Sequence, residues 1–275
     1  MDPPSPVSAA VIHPHPTSNL QALLASADLL RGNYNVQVYF STFMVPETYL
    51  HTPTMSRAST PSGHKRSSSQ LQISVLDALI AMALTSTAPY TYEQRLAATQ
   101  CIQGFIYSNP TGQEGLLTQI ISKYQQNSEA ESNLLRHILD GSDKDAYRTW
   151  FACVILLHLL DSSGRCKEMM RAITIGDSSS GEEVISSLQQ INANLSAALI
   201  NSYDPRIAVG YLMLLSIWLY EDPLSVAEFL EEGSGIQTLV GTIAQGRDGI
   251  FVTGLSAVLL GICVEFNSAA SSLPP

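Results

Sequence analysis

The sequence predicts an all-α fold, an α-solenoid built from repeated helical units. Three observations predict it. Apolar residues recur at helical spacings of three and four through most of the chain. Asn-Pro and Asp-Pro steps recur at Asn109-Pro110, Asp204-Pro205 and Asp222-Pro223. Each sets a capping side chain before a proline, whose fixed φ and missing N–H suit a first helical turn. Apolar helix ends at Phe105, Leu156, Trp218 and Cys263 are separated by roughly 45 to 60 residues, which fits two or three helices per period. No strand pattern alternates with these helices, which argues against an α/β enzyme.

In chain order, residues 1–16 are rich in proline and small residues and are expected to be disordered. From Thr17 a helical pattern runs through Leu20, Leu23, Leu24, Ala27 and Leu30 until Gly32-Asn33. The segment "NVQVYFSTFMV" alternates briefly like a strand, yet it is flanked by helices, and an isolated strand would have no partner. Helix is the expectation there.

Residues 46–70 hold prolines, hydroxyl side chains and the cations Arg57, Lys65 and Arg66. This reads as a mobile surface loop, too long for a structured connector. Its bland reading is a variable loop. Its functional reading is a regulated insert, because phosphate on Ser59, Ser67, Ser68 or Ser69 would reverse the local charge.

After the loop the chain reads as almost wholly helical to Asn267. "QLQISVLDALIAMALTS" places Leu71, Val75, Leu76, Leu79, Ile80 and Ala83 on one face. "YEQRLAATQCIQGFIYS" does the same with Leu96, Cys101, Ile102 and Phe105. "NPTGQEGLLTQIISKYQ" restarts a helix, and "NLLRHIL" and "YRTWFACVILLHLLD" follow, the latter with a nearly continuous apolar wall. "GRCKEMMRAIT" is short and basic. Glu182 and Glu183 are expected to open the next helix, which runs to Tyr203, at its positive end. "YLMLLSIWLY" is apolar nearly all round, so it should be buried on every side. Asp222 caps a short helix with Val226, Phe229 and Leu230 on one face. Gly233 ends that helix in a left-handed conformation. Ser234 then caps a helix that turns Ile236, Leu239, Val240 and Ile243 inward. Residues 268–275 read as a flexible tail, so the helical domain is expected over 17–267.

The net charge of −10 speaks against a nucleic-acid binder, which would show a basic stripe, and leaves a basic protein partner open. No uninterrupted apolar run reaches membrane-spanning length, and the N-terminus lacks signal-peptide features. Cys101, Cys153, Cys166 and Cys263 are scattered without a C-x-x-C pair. They read as small buried hydrophobes rather than zinc ligands or disulfide partners.

The search for chemistry finds no nucleophile, base and orienter together. His13, His15, His51 and His64 lie in the tail or the loop, and His137 and His158 fall in helical patterns. The glycines of "NPTGQEG" follow a helix rather than a strand, so they do not read as a phosphate cradle. Glu228, Glu231 and Glu232 read as solvated charge. The Asn194-Leu-Ser sequon lies within a helical pattern. Catalytic, cofactor and metal residues are accordingly expected to be absent.

Stopping and restarting helices within a few residues is how an armadillo-type repeat folds. "GYLMLLSIWLYEDPLSVAEFLEEGSGIQTLVGTIAQ" with "VTGLSAVLLGICVEFN" resembles the globular head of the ER-to-Golgi vesicle tethering factors, the general vesicular transport factor family. Gly254, Leu255, Ala257, Leu260, Gly261 and Ile262 match the helix in which that head's armadillo-like repeats end. "NPTGQEGLL" agrees with it upstream. The specific part runs from about Asp204 to Asn267, with weaker support back to about Leu71.

That head is longer than this chain and precedes a coiled coil, so the resemblance implies one part of it. It implies an armadillo-like α-solenoid acting as a non-enzymatic scaffold in vesicle docking, peripheral at Golgi and ER-derived membranes. It implies a Rab-type small GTPase, SNARE proteins and Golgi coiled-coil proteins as partners, homodimerisation, and no cofactor. Two rivals remain: a generic armadillo adaptor of another pathway, and an enzyme with an unrecognised helical site. An importin-like adaptor would line its groove with regular Trp and Asn, whereas this chain has only Trp150 and Trp218.

Overall fold

A computed structural model describes residues 16–46, 72–85, 90–129, 132–141, 145–176, 179, 181–201, 203–231, 233–246 and 249–267. The expectations for the residues before Pro16, for most of the 46–70 loop with its four serines, and for the 268–275 tail lie outside these residues. The chain divides into two compact units, residues 1–112 with 130–132, and residues 113–129 with 133–275.

In the first unit, α1 (Pro16–Leu30) and α2 (Tyr34–Ser41) precede strand β1 (Met44–Pro46). Strand β2 (Gln72–Ser74), α3 (Val75–Leu84) and α4 (Tyr92–Ile106) follow. The starts are fixed by side chains that occupy otherwise unpaired N–H groups. Ser74 Oγ accepts from the Asp77 N–H at 3.0 Å. Thr91 and Gln94 form a reciprocal capping box. Leu23, Leu30, Leu79, Ile80, Leu84 and Ile102 fill the core. Helices α1 and α4 lie close, and the Cys101 thiol donates to the Leu23 carbonyl at 2.9 Å.

The second unit holds most of α5 (Pro110–Gln125), then α6 (Leu134–Leu139), α7 (Ala146–Leu160) and α8 (Gly164–Arg171). A ribbon of β3 (Thr174–Ile175) and β4 (Ile185–Ser186) leads to α9 (Ser187–Ile200) and α10 (Pro205–Leu219). Helices α11 (Pro223–Glu231), α12 (Ser234–Gln245) and α13 (Gly249–Glu265) complete it. The long helices stack in series, α7 on α10 and α10 on α13. Gly210 permits the first approach, since a Cβ there would lie 3.3 Å from the Trp150 Cα and 3.4 Å from the Cys153 Cβ. Trp218 and Tyr211 of α10 and Phe229 of α11 are buried, and the Tyr211 hydroxyl donates to the Ile138 carbonyl at 2.8 Å.

One turn recurs at 31–33, 107–109, 161–163 and 220–222. Its first residue ends a long helix by donating to the carbonyl four residues back, as in Tyr107 to Gln103 at 3.0 Å and Tyr220 to Ser216 at 3.2 Å. The middle residue takes a left-handed φ: Gly32 at 72°, Ser108 at 52°, Ser162 at 56° and Glu221 at 53°. Asn33, Asn109, Ser163 and Asp222 occupy the third place and cap the next helix. Left-handed backbone is strained for a residue with a Cβ. The exposed Ser108 and Ser162 therefore make a test. Replacing either by glycine is expected to raise stability by about 0.5 kcal/mol in urea denaturation. A loss of stability in both would show that the turn is held in another way.

The strands correct the sequence reading in one respect. The segment expected as one helix is helical only to Ser41, and Met44–Pro46 pairs antiparallel with Gln72–Ser74. Its partner lies beyond the loop, where local pattern cannot reveal it. Helix α3 accordingly starts at Val75 rather than near Leu71. The ribbon of β3 and β4 occupies the equivalent place in the second unit. Val75 donates to the Phe43 carbonyl at 2.9 Å, as Ser187 does to that of Ile173 at 3.0 Å. Ser74 and Ser186 cap the helices that follow. Residues 47–71 and 176–184 therefore join matching ribbons.

Other starts also shift. Glu182 and Glu183 precede β4, and Ser186 rather than a carboxylate opens α9, which ends at Ile200 instead of Tyr203. Ser234 is the first helical residue of α12 rather than its cap, and the left-handed Gly233 precedes it with no side-chain cap. On α12 Leu239 is buried, Ile236 and Ile243 are half-buried, and Val240 is 48% exposed, because α12 is covered along a narrower stripe than its apolar pattern covers.

Candidate partner-binding site

Consecutive repeats are stitched by one position, four residues after each cap. The Gln37 amide donates to the carbonyls of Leu30, Gly104 and Tyr107, each at 3.0 Å. Gln113 donates to those of His158 at 3.2 Å and Asp161 at 3.5 Å. The Lys167 ammonium donates to the Tyr220 carbonyl at 2.6 Å. Tyr107, Asp161 and Tyr220 end the next long helix in each case, where carbonyls lack helical partners. At the fourth turn the position is the buried Val226. These donors fix the spacing of the repeats and thereby the surface they present.

In the second unit a second tie joins α8 to the 220–222 turn. The Arg171 guanidinium pairs with the Asp222 carboxylate and donates to Ser225 Oγ at 3.1 Å. Asp222 also accepts from the Ser225 N–H at 3.2 Å and from its hydroxyl at 3.0 Å. Asp222 is only 8% exposed, so its charge depends on these partners.

The same unit carries a cleft of about 920 Å³ between α5, α6 and the α8–β3 segment. Tyr124, Asn127, Asn133, Arg136 and Asp140 line it opposite the backbone of 172–176. Arg136 Nε donates to the Asp140 carboxylate at 3.4 Å, and Asn133 holds the Ser128 carbonyl at 2.7 Å. Burial, with the nearby Asp140 charge, pushes the Tyr124 phenol above its ordinary range, so it stays a neutral donor. Neutral amides, a phenol, a paired cation and a ribbon backbone offer hydrogen bonds suited to a polypeptide segment. Sequence reasoning missed this cleft, because a two-residue strand leaves no periodic signal.

The candidates for chemistry disperse. Burial pushes the Cys101 thiol up to about 12 and that of Cys263 to about 11, and it also raises Cys153 and Cys166. Protonated buried thiols are poor nucleophiles and poor ligands. His137 sits half-buried in α6 and His158 half-buried in α7. Glu228 and Glu231 lie half-buried and exposed on α11. Asn109 Oδ1 accepts from the Gly112 N–H at 2.9 Å, so "NPTGQEG" is a helix cap. The Asn194 amide of the sequon donates to the carbonyls of Ile138 at 3.0 Å and Leu139 at 2.9 Å, closing the end of α6. Among the described residues, no group of His, Cys, Asp and Glu could hold a metal ion, and no helix is long and apolar enough to cross a membrane.

Repeated long helices, capped turns and donors shared between repeats define an armadillo-like α-solenoid. The fold matches a crystal structure of Uso1 with a TM-score of 0.74 at 23% identity, over 98% of this chain and 40% of that one. A designed armadillo repeat protein matches with a TM-score of 0.52 at 9% identity, over 97% of this chain and 85% of that one. The family model for the head region of Uso1/p115-like vesicle tethering proteins matches residues 33–275, and the chain belongs to that family.

Human general vesicular transport factor p115 is 33% identical over 178 residues, 63% of this chain and 18% of that protein. The Saccharomyces cerevisiae intracellular protein transport protein USO1 is 25% identical over 297 residues, 92% of this chain and 16% of that protein. The chain thus spans less than a fifth of the length of these relatives. The resemblance read from Gly254–Ile262 and the Asp222-Pro223 turn identifies the same family.

Proposed function

We propose that this chain forms part of the head of a vesicle tethering factor in ER-to-Golgi transport and acts as a non-enzymatic scaffold. The observation that carries this reading is the head-region family match over 33–275. The fold supports it physically. A solenoid stabilised between neighbouring repeats can hold an extended recognition surface without reshaping it. In this reading the partners are a Rab-type small GTPase, SNARE proteins and Golgi coiled-coil proteins. The protein sits peripherally at Golgi and ER-derived vesicle membranes and works as a homodimer. The polar cleft beside Arg136 and Asp140 supplies one place for a peptide-like contact.

Binding of the folded chain to a Golgi Rab GTPase, loaded with GTP or GDP, tests the central partner. The expected outcome is affinity for the GTP form at least about tenfold above the GDP form, a difference of about 1.4 kcal/mol. No binding to either form, with the helical signal intact, would remove the Rab from this scheme.

A further inference from the structure

The ribbon of β3 and β4 leaves one edge open inside the polar cleft. The Ser187 N–H donates to the Ile173 carbonyl, and the register sets Thr174 opposite Ser186 and Ile175 opposite Ile185. Bonded and non-bonded pairs alternate along an antiparallel ladder. Ile173 with Ser187 and Ile175 with Ile185 are therefore the bonded pairs. Thr174 and Ser186, between them, turn their N–H and C=O groups away from each other. Ser186 satisfies its outward N–H locally, by donating to Gln189 Oε1 at 2.8 Å. Thr174 has no such partner among the described residues, and it is exposed in the cleft. An unpaired strand edge is a template for a further strand.

The opposite wall holds donors in the same condition. Arg136 uses only its Nε on Asp140, at 3.4 Å, so its two Nη groups lack a partner among the described residues. The same is true of the Tyr124 hydroxyl and of the Asn127 side-chain amide. A guanidinium with both Nη groups free matches the two oxygens of a carboxylate. A helix uses its N–H and C=O groups internally and could not answer the Thr174 edge. An extended chain could, with its side chains turned toward the donor wall.

We propose that the cleft binds an extended segment of a partner protein, paired as a strand with Thr174 and carrying an Asp or Glu whose carboxylate meets Arg136. The inference rests on the scaffold reading for the existence of a protein partner and names the peptide chemistry that one site accepts. Its outcome is separable from that of the Rab experiment. Rab binding without peptide binding would remove the cleft alone, and peptide binding without Rab binding would remove the Rab alone.

The test is selection of displayed peptides of about ten residues on the folded chain, followed by titration with a synthetic copy of the selected sequence. The selected peptides should share an Asp or Glu among β-branched residues. Thr174→Pro removes the outward N–H and leaves the ladder bonds to β4 in place, because an edge strand tolerates proline on its open side. It is expected to weaken binding at least about tenfold. Changing the peptide's acid to Lys should weaken binding by about tenfold, and Arg136→Gln should abolish that preference. Exchange of the Thr174 amide in the unmutated chain should slow on binding, which keeps the test sound if a variant misfolds. The proposal is overturned if no peptide binds, if the selected peptides carry no acid or bind as helices, or if the Thr174 amide exchanges at the same rate with and without peptide. A Thr174 amide already protected in the free chain would also overturn it, by showing that another segment of this chain occupies the edge.

Discussion

Asp222→Ala is expected to destabilise the second unit by about 3 kcal/mol. Two losses combine. The first turn of α11 loses the carboxylate that accepts from Ser225, and removing a cap costs about 1 kcal/mol. Arg171, whose side chain is 19% exposed, loses its carboxylate partner and keeps the bond to the Ser225 hydroxyl, which carries no charge. Removing one partner of a buried pair costs more than the pair contributes, because the remaining charge stays desolvated. Asp222→Asn should fall between, since an amide oxygen still accepts from the helix but does not neutralise Arg171. Urea denaturation of the three proteins at pH 7 measures this. A double-mutant cycle with Arg171→Ala should give a coupling of about 1 kcal/mol or more. If Asp222→Ala stays within about 0.5 kcal/mol of the parent, the carboxylate is not a tie between repeats.

This residue also shows what sequence could reveal. Asp222 was legible as a cap because capping is local: an acidic side chain, a proline, then an apolar face. Its ion partner was not, because Arg171 lies in α8, in the preceding repeat. The same limit explains Gln37, Gln113 and Lys167. Each looks like an ordinary polar residue in the first turns of a helix until the four turns are aligned on their caps. Only then does a donor appear at one fixed distance from each cap.

The ribbons stayed hidden because strands of two or three residues are too short to alternate, and β1 finds its partner beyond residues 47–71. The family, by contrast, was legible in α13. Its spacing of glycine, alanine and leucine records a helix built for close packing, and that pattern is short-range. The inward set assigned to α12 failed at Val240 because helical spacing gives the direction of an apolar stripe. How wide a strip the neighbours cover depends on the rest of the fold.

Gly104 offers a sharper trial, because two effects oppose each other there. In an exposed helix interior, glycine to alanine stabilises by about 1 kcal/mol, since glycine has the larger backbone entropy to lose. At Gly104 in α4 the added Cβ would lie 2.7 Å from the Ala27 carbonyl oxygen of α1 and 3.3 Å from the Leu30 Cβ. The first contact is with backbone, so it can be relieved only by moving α1 away from α4. Such a movement would strain the bond from Gln37 to the Gly104 carbonyl, which also ties α2 to this crossing. It would likewise open the contact at the Leu23 carbonyl, where Cys101 donates. Overpacking of this kind costs about 1 to 3 kcal/mol, which exceeds the gain in helix propensity. Gly104→Ala is therefore expected to destabilise the first unit by about 1 kcal/mol and Gly104→Leu by about 3 kcal/mol or more. Gly254→Ala, on the open face of α13, should show the opposite sign in the 275-residue chain, because nothing there opposes the propensity gain. Thermal and urea unfolding of the three variants compares them directly. A stabilising Gly104→Ala would mean that α1 and α4 do not approach as closely as their backbones are placed.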